Sequence, residues 1–322
     1  MDNFSEQDWE LLGQIRGGFL EAKAGLGDYW GSDRALELYE ETFAQRIGWK
    51  WQAVVEELCQ RGWSPPQGVR LLDWGCGTGI AARVFSEQWG DKVVDVTFLD
   101  RSPRAVRFAT GIYQNRFANI PVVVKTSGAP TGPTIMLISH VANELGEKDL
   151  QRLLEDVRQC HTVIWVEAGS RVNSQRLRQV REHLRGCGRI IAPCDHQNAC
   201  GLGDPSREKD WCHFFAATPN HVHQSAGWRR FAKELNVDLR SLPVSFLVMG
   251  MGAASGDEPP EVCDVARVLG RVREFKGYCT FLACGADGVR SERMMKRQDK
   301  TTFKQLCDGG FCLRYDRAVT GG

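Results

Sequence analysis

Residues 69–85 read VRLLDWGCGTGIAARVF. A short apolar run, VRLLDW, passes straight into three glycines spaced two apart, and a helical pattern follows at once. So few residues can join a strand to a helix only through a tight turn. Gly75, Gly77 and Gly79 supply it, because glycine takes positive φ and lets another group approach its backbone without a Cβ in the way. In dinucleotide-binding folds a turn of this kind places a phosphate group at the helix N-terminus.

The rest of the chain repeats the strand–helix theme. VVDVTFLD (93–100), IPVVVKT (120–126), PTIMLISHV (133–141) and HTVIWVEAG (161–169) read as further strands, with helical stretches between them such as 103–114 and 147–159. Buried β-branched strands alternating with helices predict an α/β, doubly wound parallel sheet. Residues 1–66 read as a helical region, closed by WSPPQG. Residues 67–255 form the sheet domain, with a Cys-rich loop at 191–225 and a further strand at 245–252. Residues 256–322 read as a small, basic, β-rich module.

The form D-x-G-x-G-x-G resembles the class I S-adenosylmethionine (SAM) methyltransferases, whose core is Rossmann-like. The resemblance implies a SAM site made of Asp73, Gly75, Gly77, Gly79 and Asp100. An acid at Asp73 helps place the methionine ammonium group, and an acid at Asp100 binds the ribose hydroxyls. The adenine-contacting acid common after the third strand is missing, since that position reads Lys125-Thr126-Ser127. The fourth strand ends SHVANELG, and in such folds this end faces the methyl group. His140, Asn143 and Glu144, with Ser139, are therefore candidates for contacting the substrate. Asn143 and Glu144 read equally well as helix starters or caps. The Asn/Asp-Pro-Pro-aromatic signature of amino-group methyltransferases is absent, so the target atom is not legible here.

Residues 192–215, APCDHQNACGLGDPSREKDWCHFF, place Cys194, Cys200 and Cys212 in a Gly-, Pro- and Asp-rich loop. A loop offers a cysteine little to be buried in. The C-x5-C-x11-C spacing disfavours a radical-SAM cluster. Pro193-Cys194 is like the dipeptide of RNA cytosine-C5 methyltransferases but follows the fifth strand, not the fourth. Soft thiolates select zinc or iron–sulfur centres, with a fourth ligand from Cys284, Cys279, Cys263, His196 or His213.

With LLDWGCGTG, ISHVANELG, WVEAGS, APCDHQNAC…DWCHF and FLACGADGV in hand, the chain resembles the methyltransferase-like assembly factor of the mitochondrial small ribosomal subunit and its bacterial relatives. The resemblance runs from about residue 35 onward. It implies a [4Fe–4S] cluster on Cys194, Cys200, Cys212 and Cys284, with zinc as the alternative. That family carries Pro where this chain has Asp195 and Gly201. The other eight cysteines read as packing residues.

The chain balances 41 basic against 40 acidic side chains over 322 residues, which argues against a wholesale polyanion binder. The basic residues nevertheless cluster. One group runs from Arg267 to Lys304; a second comprises Arg171, Arg176, Arg178, Arg181, Arg185 and Arg189. Such clusters suggest a phosphate-binding face, and the resemblance makes small-subunit rRNA its partner. No run of eighteen apolar residues suggests a membrane partner, and the acidic N-terminus lacks a signal core, so the expected location is the cytoplasm and the expected state a monomer. The leading expectation is a SAM-dependent rRNA methyltransferase. A non-catalytic Fe–S-containing assembly factor comes second and a small-molecule methyltransferase third.

Overall fold

The computed structural model describes residues 1, 3–21, 30–124, 132–252 and 265–316. Its elements are α1 (Glu6–Glu21), α2 (Asp33–Glu41), α3 (Phe43–Gln60), β1 (Val69–Trp74), α4 (Ile80–Trp89), β2 (Val93–Leu99), α5 (Pro103–Arg116), β3 (Thr134–Ser139), α6 (Glu147–Arg158), β4 (Thr162–Ala168), α7 (Arg171–Leu184), β5 (Gly188–Ala192), β6 (Phe214–Phe215), α8 (Asn220–Gln224), α9 (Ala226–Glu234), β7 (Pro243–Met251), β8 (Val265–Phe275), β9 (Tyr278–Gly285), β10 (Gly288–Met295), α10 (Lys300–Asp308) and β11 (Arg314–Asp316). They form two compact units. One is Met1–Val166 with Ala217–Leu242, and the other Glu167–Ala216 with Pro243–Gly322. This division differs from the three consecutive segments read from the sequence, because the chain passes between units three times. No helix among the described residues is long and apolar enough to cross a membrane.

The first unit holds four parallel strands in the order β2-β1-β3-β4. Strand β3 is buried from Thr134 to Ile138, as a strand covered on both faces must be. The winding runs from β1 outward to β2 and from β3 outward to β4. Its direction therefore reverses between β1 and β3, where the C-terminal strand ends open the ligand crevice of such sheets. Helix starts are specified locally. Ser32 caps α2 through Ala35 N–H, and Ser102 caps α5 with Pro103 at the first helical position. The N-terminal helices join this core: α3 packs on α4, and Trp49 meets Trp228 of α9 at 5.2 Å between ring centroids.

The expected third strand at 120–126 is corrected. Among the described residues of this stretch only Val122 bridges β2, in parallel with Val96. Pro121 has no N–H to continue a ladder, and Val124 is 88% exposed. Lys125, Thr126 and Ser127 lie outside the described residues.

In the second unit β7 pairs antiparallel with β5 and with the two-residue β6. A separate antiparallel sheet runs β10-β9-β8-β11, and α10 packs on β8 and β9. Ala266, Val268, Cys279, Phe281, Ala283, Met294, Phe303, Leu306 and Tyr315 make its core. This sheet, with α10, lies within the stretch read from the sequence as a small β-rich module.

Candidate functional site

The glycine turn connects β1 to α4 at the reversal of the first unit. A Cβ at Gly75 (φ +67°) would lie 2.6 Å from Val141 Cγ1, so position 75 is closed to side chains. Gly77 (φ +50°) faces open space instead, leaving its backbone approachable. Asp100, at the end of β2, accepts Gly77 N–H at 2.9 Å on one carboxylate oxygen and Ser102 N–H at 2.9 Å on the other. Asp73 is fully enclosed. Its Oδ2 accepts Ala82 N–H at 3.2 Å, while Oδ1 is buried with no hydrogen-bond partner. Burial raises the Asp73 carboxyl to about 7, against the lowering effects of Ala82 N–H and Arg83. The fold thus gathers Asp73, Gly75, Gly77, Gly79 and Asp100 into one turn. The open face at Gly77 suits a polar ligand.

The end of β3 is braced from α3. Trp51 Nε1 donates to Ser139 Oγ at 2.9 Å, and Lys50 Nζ lies 3.4 Å from His140 Nε2. Lys50 itself is buried. Burial, and then the Lys50 ammonium, hold the His140 imidazole well below its usual pKa, so the ring is neutral and its Nε2 accepts. His140 sits at φ +56°, a left-handed conformation that costs a non-glycine residue energy. Sequence reading missed Lys50 and Trp51. The available signal was Trp49-Lys50-Trp51, a lysine flanked directly by two tryptophans in α3.

Asn143 and Glu144 lie in a 3-10 turn (Ala142–Glu144). Asn143 is exposed, and Glu144 pairs with Arg101 at 3.3 Å. The capping alternative falls away for α6, whose N-cap is Gly146.

All four cysteines implied by the resemblance lie in the second unit. Burial drives the Cys212 thiol well above its usual pKa, and Cys194, Cys284 and Cys200 add to the rise. Cys284 is raised by burial and then by Cys194 and Cys200. Among the described residues, however, no three His, Cys, Asp or Glu side chains converge into a formed metal site.

The surroundings of the thiols are ordered. The guanidinium of Arg181, which is 4% exposed, donates to Cys194 Sγ at 3.4 Å and to Asn198 O at 2.7 Å. Glu182 accepts Cys200 N–H at 3.1 Å. Gln197 closes the loop by bonding both backbone groups of Ile190 at 2.8 Å. His196 is buried, with Nε2 3.8 Å from Cys284 Sγ and Nδ1 without a partner.

The two departures from the family pattern also have partners. Asp195 pairs with Arg314 at 2.9 Å. Gly201 lies so close to β10 that a Cβ would meet Gly288 Cα at 2.7 Å. The rival ligand Cys279 is wholly buried in the C-terminal core, because strand alternation turns residues 279 and 284 to opposite faces of β9. Cys263 lies outside the described residues. Cys59 and Cys187 are exposed rather than packed.

The basic face is corrected at two positions. Arg267 is 2% exposed, with its guanidinium 4.1 Å above the Phe214 ring and donating to Phe311 O at 3.0 Å. Arg181 is buried beside the thiols. Neither reaches solvent phosphate. Arg271, Arg273, Arg290, Arg293, Lys296, Arg297, Lys300 and Lys304 are exposed.

The family described as mitochondrial small ribosomal subunit Rsm22 matches residues 44–308. The chain belongs to the Rsm22 family. It is a class I methyltransferase-like protein. No curated protein matches it. Among solved structures it is similar to a candidate RNA methyltransferase from Pyrococcus horikoshii (10% identity, 78% of this chain and 100% of that one, TM-score 0.38). It is also similar to a SAM-dependent methyltransferase from Leishmania major (12% identity, 74% and 82%, TM-score 0.39) and to magnesium protoporphyrin IX methyltransferase from Synechocystis with bound S-adenosylhomocysteine (12% identity, 76% and 100%, TM-score 0.36). At TM-scores below 0.5 none of these decides anything the strands and the family have not.

Proposed function

We propose that the chain is a SAM-dependent methyltransferase acting on small-subunit rRNA during ribosome assembly. The observation that carries the reading is the open Gly77 turn held by Asp100 at the sheet reversal, in a chain of a family named for the small ribosomal subunit. Gly75, Gly77, Gly79 and Asp100 would hold SAM, with Asp73 buried behind them. When bound, SAM supplies an electrophilic methyl group. Transfer of that group needs positioning rather than a nucleophilic side chain on the protein. The neutral His140, its Nε2 facing Lys50, and the exposed Asn143 lie at the methyl-facing strand end, where they would orient the acceptor.

Cys194, Cys200, Cys212 and Cys284 would hold a [4Fe–4S] cluster, or zinc. The donor set fits in its chemistry: four soft thiols in one unit, with the buried Arg181 donating to Cys194 Sγ at 3.4 Å. The cluster would act as a staple fixing the Cys-rich loop to the β9–β10 hairpin.

The test is transfer of labelled methyl from SAM to small-subunit rRNA by anaerobically purified protein, with Asp100→Asn as the control. Label that appears with the wild type and fails with the variant supports the reading.

One observation favours a second reading, a non-catalytic assembly factor. Both carboxylate oxygens of Asp100 already accept backbone N–H groups, which leaves fewer lone pairs for ribose hydroxyls. Binding of rRNA without label, from protein that carries iron, would select it.

A further inference from the structure

Along 211–215 the side chains alternate. Cys212 lies on the thiol side, and Phe214 packs against Phe246 and Phe311 in the interior. Trp211, His213 and Phe215 turn the other way and form one wall of a cavity of about 650 Å³, closed on the far side by β8 and β9. That volume falls within the roughly 300–1,000 Å³ of small-ligand pockets. None of these residues belongs to the methyl-transfer site.

The wall is aromatic and fixed. Trp211 and His213 stack at 4.6 Å with 18° between their planes, and Phe215 meets His213 edge-on at 5.3 Å. Trp211 Nε1 donates to Gly169 O at 3.0 Å, which holds the indole in place. His213 Nδ1 lies 3.0 Å from Trp211 O. A carbonyl can only accept, so Nδ1 carries the hydrogen and Nε2 presents a lone pair. The Arg271 guanidinium lies 4.0 Å above the Phe215 ring, and Arg273 and Lys209 are exposed cavity residues.

A second platform continues the first. Thr280 and Leu282 line the cavity from β9, and Tyr278 follows on the same face, since alternate strand residues share a face. Tyr278 stacks on Phe275 at 4.8 Å with 10° between the rings, and the Arg293 guanidinium lies 3.8 Å over Tyr278. Phe275 is 45% exposed. Arg273, Thr280 and Arg293 occupy one cross-strand row over β8, β9 and β10. The order along the surface is therefore aromatic wall, cationic row, aromatic platform.

We infer that this surface is a track for single-stranded RNA. One unstacked base enters the Trp211–His213–Phe215 cavity, the next stacks near Phe275 and Tyr278, and the intervening phosphates lie on Arg271, Arg273 and Arg293. Stacking faces separated by guanidinium groups are what single strands require, because every base has a π-face and every linkage a charge. A duplex cannot place a paired base in a cavity of this size. The inference rests on the RNA reading above and deepens it.

The experiment uses the full chain with a fluorescein-labelled eight-nucleotide oligouridylate carrying 5-bromouridine, a duplex of equal length, small-subunit rRNA and polyglutamate. Arg271→Glu and Phe275→Ser test the two platforms at exposed positions, and Trp211→Ala tests the wall. The single strand binds more tightly than the duplex, and each variant weakens it about tenfold. Photocrosslinks map to residues 211–215 and 275–280. If the wild type and both surface variants bind the rRNA and the single strand equally well, or the crosslinks lie elsewhere, the track is overturned while the rRNA reading stands. If the wild type binds polyglutamate but neither RNA, the track and the rRNA reading fall together.

Discussion

Lys50 Nζ lies 3.4 Å from His140 Nε2, so a helix of the N-terminal region reaches the end of the strand that faces the expected methyl group. Burial comes first among the causes of the low His140 pKa, and the Lys50 charge second. Lys50→Met therefore raises the His140 midpoint without restoring it to 6.5, as an NMR titration of the ring protons will show; an unmoved midpoint would contradict the contact. The sign for stability follows. His140 binds its proton more weakly in the fold than in the unfolded chain, so its contribution is complete above pH 6.5 and is lost as pH falls.

Asp73 works in the opposite direction. Its carboxyl is raised from 3.8 to about 7, so between those values the folded chain holds a proton that the unfolded chain has released. Its stabilising contribution is therefore present below pH 3.8 and lost as pH rises through about 7. The full difference is at most on the order of 4 kcal/mol. Urea melts of Asp73→Asn across pH 4–7 will show a flatter profile than the wild type. An unchanged slope would place the raised pKa elsewhere.

Gly75 and Gly77 separate stability from binding. Gly75→Ala puts a methyl into Val141 and keeps a positive φ, costing about 2–4 kcal/mol. Gly77→Ala costs only about 1–2 kcal/mol in stability, yet it fills the open face of the turn. Equilibrium dialysis will find SAM binding lost in the Gly77 variant, while thermal melts find the larger drop in the Gly75 variant.

Cys284→Ser and Cys279→Ser, five residues apart, give contrasting results. The first releases iron from anaerobically purified protein and leaves the C-terminal core intact. The second retains iron but buries a hydroxyl in that core, costing about 1–3 kcal/mol. Iron analysis beside a thermal melt distinguishes them, and iron retained by the Cys284 variant would remove it from the ligand set.

Arg267 and Arg297 share a sequence cluster but not a role. Arg267→Ala removes a buried guanidinium that lies over Phe214 and Phe246, costing about 2–4 kcal/mol and leaving the salt dependence of rRNA binding unchanged. Arg297→Ala is neutral for stability and lowers the salt slope by about one. Equal slopes for the two variants would show that charge position in the fold does not matter.

The parallel sheet and the glycine turn were legible because both are local. Four apolar runs and three glycines at fixed spacing specify them with little help from distant residues. The strand at 120–126 was over-read: Val122, Val123 and Val124 have strand character, but Pro121 and the exposed edge leave a single bridge. Strands β5 and β6 were missed because GRIIA and FF are too short to show a period; pairing with β7 makes them strands. Lys50 and Arg267 were illegible for a different reason. Charge reads as surface in a sequence, and each is buried by neighbours far along the chain, His140 for one and Phe214 with Phe311 for the other. Cys284 enters the ligand set through family likeness alone. Its separation from Cys279 followed only once β9 showed which face each occupies.

The strip Trp211–Phe215 has two sides and no slack between them. Advance it by one residue and Cys212 leaves the thiols while Trp211, His213 and Phe215 exchange places with Phe214. Ser174 Oγ and Ser245 Oγ both donate to the Cys212 carbonyl, at 2.8 and 2.7 Å, and so lock that register. The strip is a ratchet pawl held by two hydroxyls: whatever seats Cys212 also sets the angle of the aromatic wall behind it.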